Sequence, residues 1–242
     1  MGTTTEGRTT GKKNSLDGGM AMGTSSRFAY DARLMPELIS KHPIATRFRG
    51  FLPVVIDVET AGFNPRTDAL LEIAAVPLQI GEDLRLERGE TVSAHVIPFP
   101  GANLERSALA FTGIDPYHPF RFAVPERDAL ETVFVPIRRI IRDTGCTRAV
   151  LVGHNPSFDI SFLKASVERS GIKRNPFHSF TTFDTATLAG LAFGQTVLAK
   201  AVQAAGLPWN PSDAHSAIYD AECTADLFCA VINRWDEIIG RP

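Results

Sequence analysis

The stretch Val54-Val55-Ile56-Asp57-Val58-Glu59-Thr60 constrains this chain more than any other, because it delivers two acids at the end of a β-branched run, just before the breakers Gly62 and Pro65. β-branched residues favour an extended strand, and side chains two apart on a strand point to one face. Asp57 and Glu59 are therefore expected side by side. Paired carboxylates in an apolar setting repel, so one stays protonated unless a cation holds both. Hard divalent cations such as Mg²⁺ take oxygen ligands of this kind and keep bound waters.

The remaining sequence frames that strand. The 242 residues carry 44% hydrophobic and 21% charged residues, the balance of one sizeable globular domain. A net charge of −2 offers no global attraction to nucleic acid, so a polyanionic partner has to be met by a local basic patch. Cys146, Cys223 and Cys229 are odd in number and have no C-x-x-C spacing, which argues against a disulfide framework or zinc site and for reduced thiols in the cytoplasm. The chain has neither a long apolar run nor a signal-like N-terminus, and no membrane role is expected. Residues 1–26, rich in Gly, Thr and Ser, read as a disordered extension, and 27–242 as a single domain.

Hydrophobic periodicity predicts helices over Ala32–His42, Leu104–Phe111, 126–144, Ser157–Ser170, from Thr185, Thr196–Ala205 and 216–239, the last with Ile218, Ala221, Ala225, Phe228, Ile232 and Trp235 on its buried side. Strands are expected at 54–60, Leu70–Leu78, Glu90–Pro98, Ala149–Gly153 and Phe180–Phe183. Strands first and alternating helices and strands later indicate an α/β fold, a mixed five-stranded sheet flanked by helices.

Two further constellations carry acids. His154-Asn155-Pro156-Ser157-Phe158-Asp159 follows the apolar strand and puts Asp159 in the first turn of a helix. An acid there is commonly a cap, favoured by about 0.3–1 kcal/mol. His215-Ser216-Ala217-Ile218-Tyr219-Asp220 opens the last helix. Were both helical, His215 and Asp220 would be about 140° apart, so the arrangement works if Asp220 is on the helix and His215 on the loop before it. A histidine in that place suits proton removal from water.

The order Asp-x-Glu, Asn-x-x-Phe-Asp, His-x-x-x-x-Asp resembles the DEDDh exonucleases, a ribonuclease H-like 3′-to-5′ family. From Phe51 to Trp235 the chain is more specifically similar to the bacterial ribonuclease T family, in Asp57–Asn64, Gly101-Ala102-Asn103-Leu104, Lys173–His178 and Gly194–Leu198. The resemblance implies that Asp57, Glu59, Asp159 and Asp220 hold two Mg²⁺ ions about 3.5–4 Å apart, Mn²⁺ being an alternative, with His215 as the base. It implies that Phe63, Phe111, Phe158 and Phe180 stack on terminal bases, at about 1–3 kcal/mol each. On composition alone Phe158 and Phe180 read as core, and Phe63, in a turn, as exposed. Arg47, Arg49, Arg148, Lys173 and Arg174 match positions that grip the backbone, in a homodimer where one subunit's patch feeds the other's site. The partners implied are 3′ ends of tRNA, rRNA and other stable RNAs, and of single-stranded DNA. Where the family has a glutamate four residues before the second phenylalanine, this chain has Ser107, with Glu105 nearby. The competing readings are a proofreading exonuclease, an oligoribonuclease and a catalytically silent RNA-binding module.

Overall fold

In the computed structural model, which describes Gly2 and residues 42–241, the acid-bearing strand is the centre of the sheet. The extension 1–26 and, apart from His42, the helix expected over Ala32–His42 lie outside the described residues.

β1 (Phe51–Thr60) runs antiparallel to β2 (Leu70–Ile80) and parallel to β5 (Arg148–Gly153), and β6 (Phe177–Asp184) extends the sheet from β5. Nearly all of β1 is buried, on both alternating sets of side chains, so both sheet faces are covered. The long helix α7 (Ala217–Ile239) lies along β1, β2 and β3 (Leu86–Arg88), while α3 (Glu126–Thr144) and α4 (Ser157–Arg169) pack against β2, β4 (Val92–His95), β5 and β1. Among the described residues the remaining α-helices are α1 (Pro43–Thr46), α2 (Arg106–Thr112), α5 (Thr185–Phe193) and α6 (Leu198–Ala204).

Among the described residues the mixed α/β sheet has six strands, one more than expected from the sequence. β3 (Leu86–Arg88) and β4 (Val92–His95) both pair with β2, one after the other along its outer edge, so the sheet is still five strands wide. Between them the Gly89 N–H donates to the Pro77 carbonyl at 2.8 Å, where a Cβ on Gly89 would meet the same oxygen. Leu86 is anchored besides by Asn233 of α7, whose side chain both donates to and accepts from its backbone at 2.8 Å. That pairing spans most of the chain, and no local pattern announces it.

α3 buries Leu130, Val133, Phe134 and Ile137, with Ile140 and Ile141 half-buried, and continues through Pro136 to a left-handed cap at Gly145 (φ 73°). On α7 the expected stripe needs correcting at its ends. Ile218 is 41% and Trp235 54% exposed, because at the two ends of the helix it is their neighbours Ala217 and Asp236 that face inward.

Candidate active site

β1 and β5 stay paired only as far as Val55 and Val152 and then part. The gap beyond is where the acids meet. Asp57, Glu59 and Asp220 each offer a carboxylate oxygen, and the three oxygens lie within 4.8 Å of one another. Asp159, in the first turn of α4 and 5% exposed, fills the space between the parted strands, its carboxylate accepting the Val58 backbone N–H. Gly153, at the end of β5, leaves that room: a Cβ there would lie 3.3 Å from Asp159 Oδ2 and 3.1 Å from Pro156 Cβ.

All four carboxyls are pushed up from their ordinary range, first by burial. Glu59 rises to about 8, helped by the charges of Asp220, Glu72 and Asp159. Asp159 rises to about 7, hydrogen bonds to its own and the Val58 N–H holding it back. Asp57 rises well above the carboxylate range under burial and the charges of Asp159, Glu59, Asp220 and Glu72. Asp220 is raised by burial against the pull of His215 and His154. Its Oδ2 accepts the His215 backbone N–H at 3.1 Å, but its Oδ1 is buried with no hydrogen-bond partner. An orphaned anionic oxygen among three other crowded acids is the arrangement that hard divalent cations satisfy, so the donor set fits such ions.

His215 is on the loop before α7, as its spacing requires, in a left-handed conformation (φ 68°) that turns its N–H back to Asp220. Its exposed ring packs on Phe111, with centroids 4.3 Å apart. Phe111, Phe63 and Phe158 share a hollow of about 380 Å³ with Glu59 and Ser107. Phe63 and Phe111 are 80% and 66% exposed, while Phe158 is half-buried between Phe63 (6.2 Å) and the core ring of Phe162 (5.0 Å).

Phe180 is elsewhere. It is 77% exposed, contrary to the core reading from composition, because β6 is an edge strand. Its ring packs on His178, which packs on Phe51 at the start of β1, and Phe180 is not among the residues lining the hollow.

The basic residues divide similarly. Arg148, which opens β5, and Lys173 line a shallow hollow with Lys164 and His178, and Arg49 lies over the Phe51 ring at 5.3 Å. Arg174 is exposed beside Lys173, its carbonyl held by Arg138 at 2.9 Å. Arg47 is placed differently: its side chain is largely buried in an ion pair with Asp236 of α7.

Three participants escaped the sequence reading. Glu72 of β2 stands opposite Glu59 in the strand register, with its own partners His95 (3.0 Å) and Arg121 (3.9 Å). Its signal was a lone acid in a strand otherwise read as buried. His154 donates from Nε2 to the Thr196 carbonyl at 2.8 Å and bonds Thr185 Oγ1 through Nδ1 at 2.9 Å. Asp184 caps α5 and accepts the Asn155 N–H at 3.0 Å, so the loop before Asp159 is tied to both.

Comparison with known proteins agrees with this geometry. The family model described as an exonuclease matches residues 54–228. The chain is 63% identical over 201 residues to ribonuclease T of Marinobacter nauticus, covering 83% of this chain and 91% of that protein. It is 58% identical over 199 residues to ribonuclease T of Yersinia enterocolitica, covering 82% and 93%. Among solved structures it is similar to E. coli exonuclease I in complex with a dT13 oligonucleotide, with a TM-score of 0.57 and 18% identity over 78% of this chain and 43% of that one. That likeness is one of fold, to a chain more than twice the matched length. With its acids gathered at the parting of β1 and β5 and relatives of this identity over nearly their whole length, the chain belongs to the ribonuclease T family of exonucleases.

Proposed function

We propose that this protein is a 3′-to-5′ exoribonuclease that trims the 3′ ends of tRNA and other stable RNAs, and of single-stranded DNA, releasing 5′-mononucleotides. The observation that carries the reading is the buried, unpartnered Oδ1 of Asp220 beside Asp57 and Glu59, next to a hollow lined by exposed phenylalanines. Asp57, Glu59, Asp159 and Asp220 would hold two divalent cations, Mg²⁺ in the cell with Mn²⁺ as a substitute. Bound there, such ions supply positive charge to the attacking water and to the departing 3′ oxygen.

The chain's own groups supply the rest. Phe63, Phe111 and Phe158 stack on the terminal bases and set the last phosphodiester against the acids. His215 takes the proton of the attacking water. Its loop position lets the ring swing from Phe111 toward Asp220 while its backbone stays tethered to that carboxylate. Ser107, in the hollow where the family has a carboxylate, gives the terminal base a neutral neighbour.

The basic residues favour a homodimer. Arg49, Arg148 and Lys173 gather at the start of β1 and β5, whereas the acids lie six residues further along β1, about 20 Å away at roughly 3.3 Å per residue. A patch so placed serves the site of a second copy better than its own. The cytoplasm is the proposed compartment: Cys146, Cys223 and Cys229 are all free and buried. No helix among the described residues is long and apolar enough to cross a membrane.

The test is shortening of a 5′-labelled RNA with a 3′ overhang, in Mg²⁺ and in EDTA, beside Asp57→Asn. A ladder shrinking from the 3′ end only with metal and intact Asp57 is expected. A folded protein that binds RNA but never shortens it under several divalent metals would leave a binding module instead.

A further inference from the structure

The turn that presents Phe63 is built around a buried acid with no part in the chemistry above. Asp68 is 2% exposed. Its Oδ2 accepts the Asn64 backbone N–H at 2.9 Å, and its Oδ1 accepts the Thr67 hydroxyl at 2.8 Å and the Asn103 side-chain amide at 3.0 Å. The Phe63 N–H bonds to the same carboxyl. Burial alone would push this acid up, but the donors outweigh it and hold it below the usual carboxylate range.

The surrounding chain is shaped to the carboxylate. A Cβ on Gly62 would lie 2.1 Å from Asp68 Oδ2, so only glycine admits the close approach. Ala61 N–H donates to the Ala69 carbonyl and Asp68 N–H to the Asn64 carbonyl, both at 2.8 Å, closing the turn from within. From outside, Arg169 of α4, paired with the buried Glu126, donates to the Pro65 carbonyl at 3.1 Å. The same helix carries Phe158 and Asp159 in its first turn.

We propose that Asp68 is a positioning residue for the substrate: an anionic hub that holds the 62–68 turn so that Phe63 faces Phe158 across the hollow before RNA arrives. The proposal rests on the exonuclease reading. An aromatic side chain on a free loop loses conformational freedom when a base stacks on it, and a turn fixed beforehand avoids that loss. The role needs charge and acceptor capacity, not bulk. An amide in the same place aims its own N–H groups at the Asn64, Phe63, Thr67 or Asn103 donors.

The experiment measures KM and kcat on a single-stranded RNA for Phe63→Ala, Asp68→Asn, the double variant and Asn103→Ala, with Mn²⁺ affinity by calorimetry and folding by thermal melting. Phe63→Ala and Asp68→Asn are each expected to raise KM about ten-fold, with whatever fall in kcat Phe63→Ala shows matched by Asp68→Asn. The double variant should be no worse than either single one, and Mn²⁺ affinity should stay at the wild-type value. Asn103→Ala, at an exposed position, removes one donor and gives a smaller rise in the same direction, which serves where Asp68→Asn does not fold. A raised KM for Phe63→Ala beside wild-type KM for folded Asp68→Asn, or for Asn103→Ala where that variant stands in, overturns the assignment to Asp68 alone; so does an additive double variant. A wild-type KM for Phe63→Ala removes the base-stacking reading and this proposal together.

Discussion

Glu59 of β1 and Glu72 of β2 are direct partners across the antiparallel pair, so a fifth carboxylate bears on Asp57 and Glu59 from beside the centre. Glu72 is answered on its far side by His95 and Arg121, and it contributes charge to the site without joining the Asp57, Glu59, Asp220 cluster. Glu72→Gln removes a neighbour that holds Asp57 and Glu59 protonated. The acid limb of Mn²⁺ binding should therefore move to lower pH, by less than about one unit. Calorimetric titrations between about pH 6 and 9 give the midpoint; an unmoved midpoint would take Glu72 out of the charge balance.

The raised acids make stability of the metal-free protein depend on pH in a defined sense. Glu59 at about 8 and Asp159 at about 7 lie above their unfolded values, so the folded state keeps protons that the unfolded chain has released. Their contribution is complete below the unfolded values near about 4, and is lost as pH rises through about 7 to 8. Divalent cations should restore it. Melting curves should show a gap between metal-bound and metal-free Tm that widens with pH; a constant gap contradicts the coupling.

Asp220→Asn and His215→Ala should separate metal holding from proton transfer. An asparagine Oδ1 can still accept the His215 N–H, so the loop survives while metal affinity and activity fall by more than about 100-fold. Loss of His215 should leave Mn²⁺ binding intact and reduce kcat by about 10²–10⁴-fold. Equal loss of metal by both variants would mean that His215 supports the centre itself.

Subunit mixing tests the displaced basic patch. Arg148→Ala combined with Lys173→Ala should weaken RNA binding and reduce the salt slope by about one for each phosphate no longer neutralised. Mixed with Asp57→Asn, this variant should regain activity, because each mixed dimer keeps one intact patch facing one intact site. Absence of recovery in verified heterodimers would place the patch and the acids in service of the same subunit.

Arg47→Ala should act through folding, not through RNA. It leaves Asp236, 6% exposed, without its main partner, Arg241 being 3.5 Å away at the surface. A loss of about 3 kcal/mol in denaturant unfolding is expected. The salt dependence of RNA binding should be unchanged, and a shallower slope would return Arg47 to the substrate surface.

What the sequence determined on its own are features governed by neighbours along the chain. Alternation put Asp57 and Glu59 on one face, breakers marked the ends of the helices, and the five-residue spacing kept His215 off the helix that carries Asp220. Tertiary structure decided the rest, because burial and register are set by residues far apart in sequence. Asp159 reaches the centre only because β1 and β5 part after Val55, and Glu72 faces Glu59 only through the β1–β2 register. β3 forms by pairing with β2 and is held besides by Asn233 at Leu86, Arg47 is withdrawn by Asp236, and Phe180 lies on the edge strand β6, away from the phenylalanines of the hollow. None of these pairings leaves a local period or a propensity, since the energy that selects them comes from interactions formed only when the sheet closes.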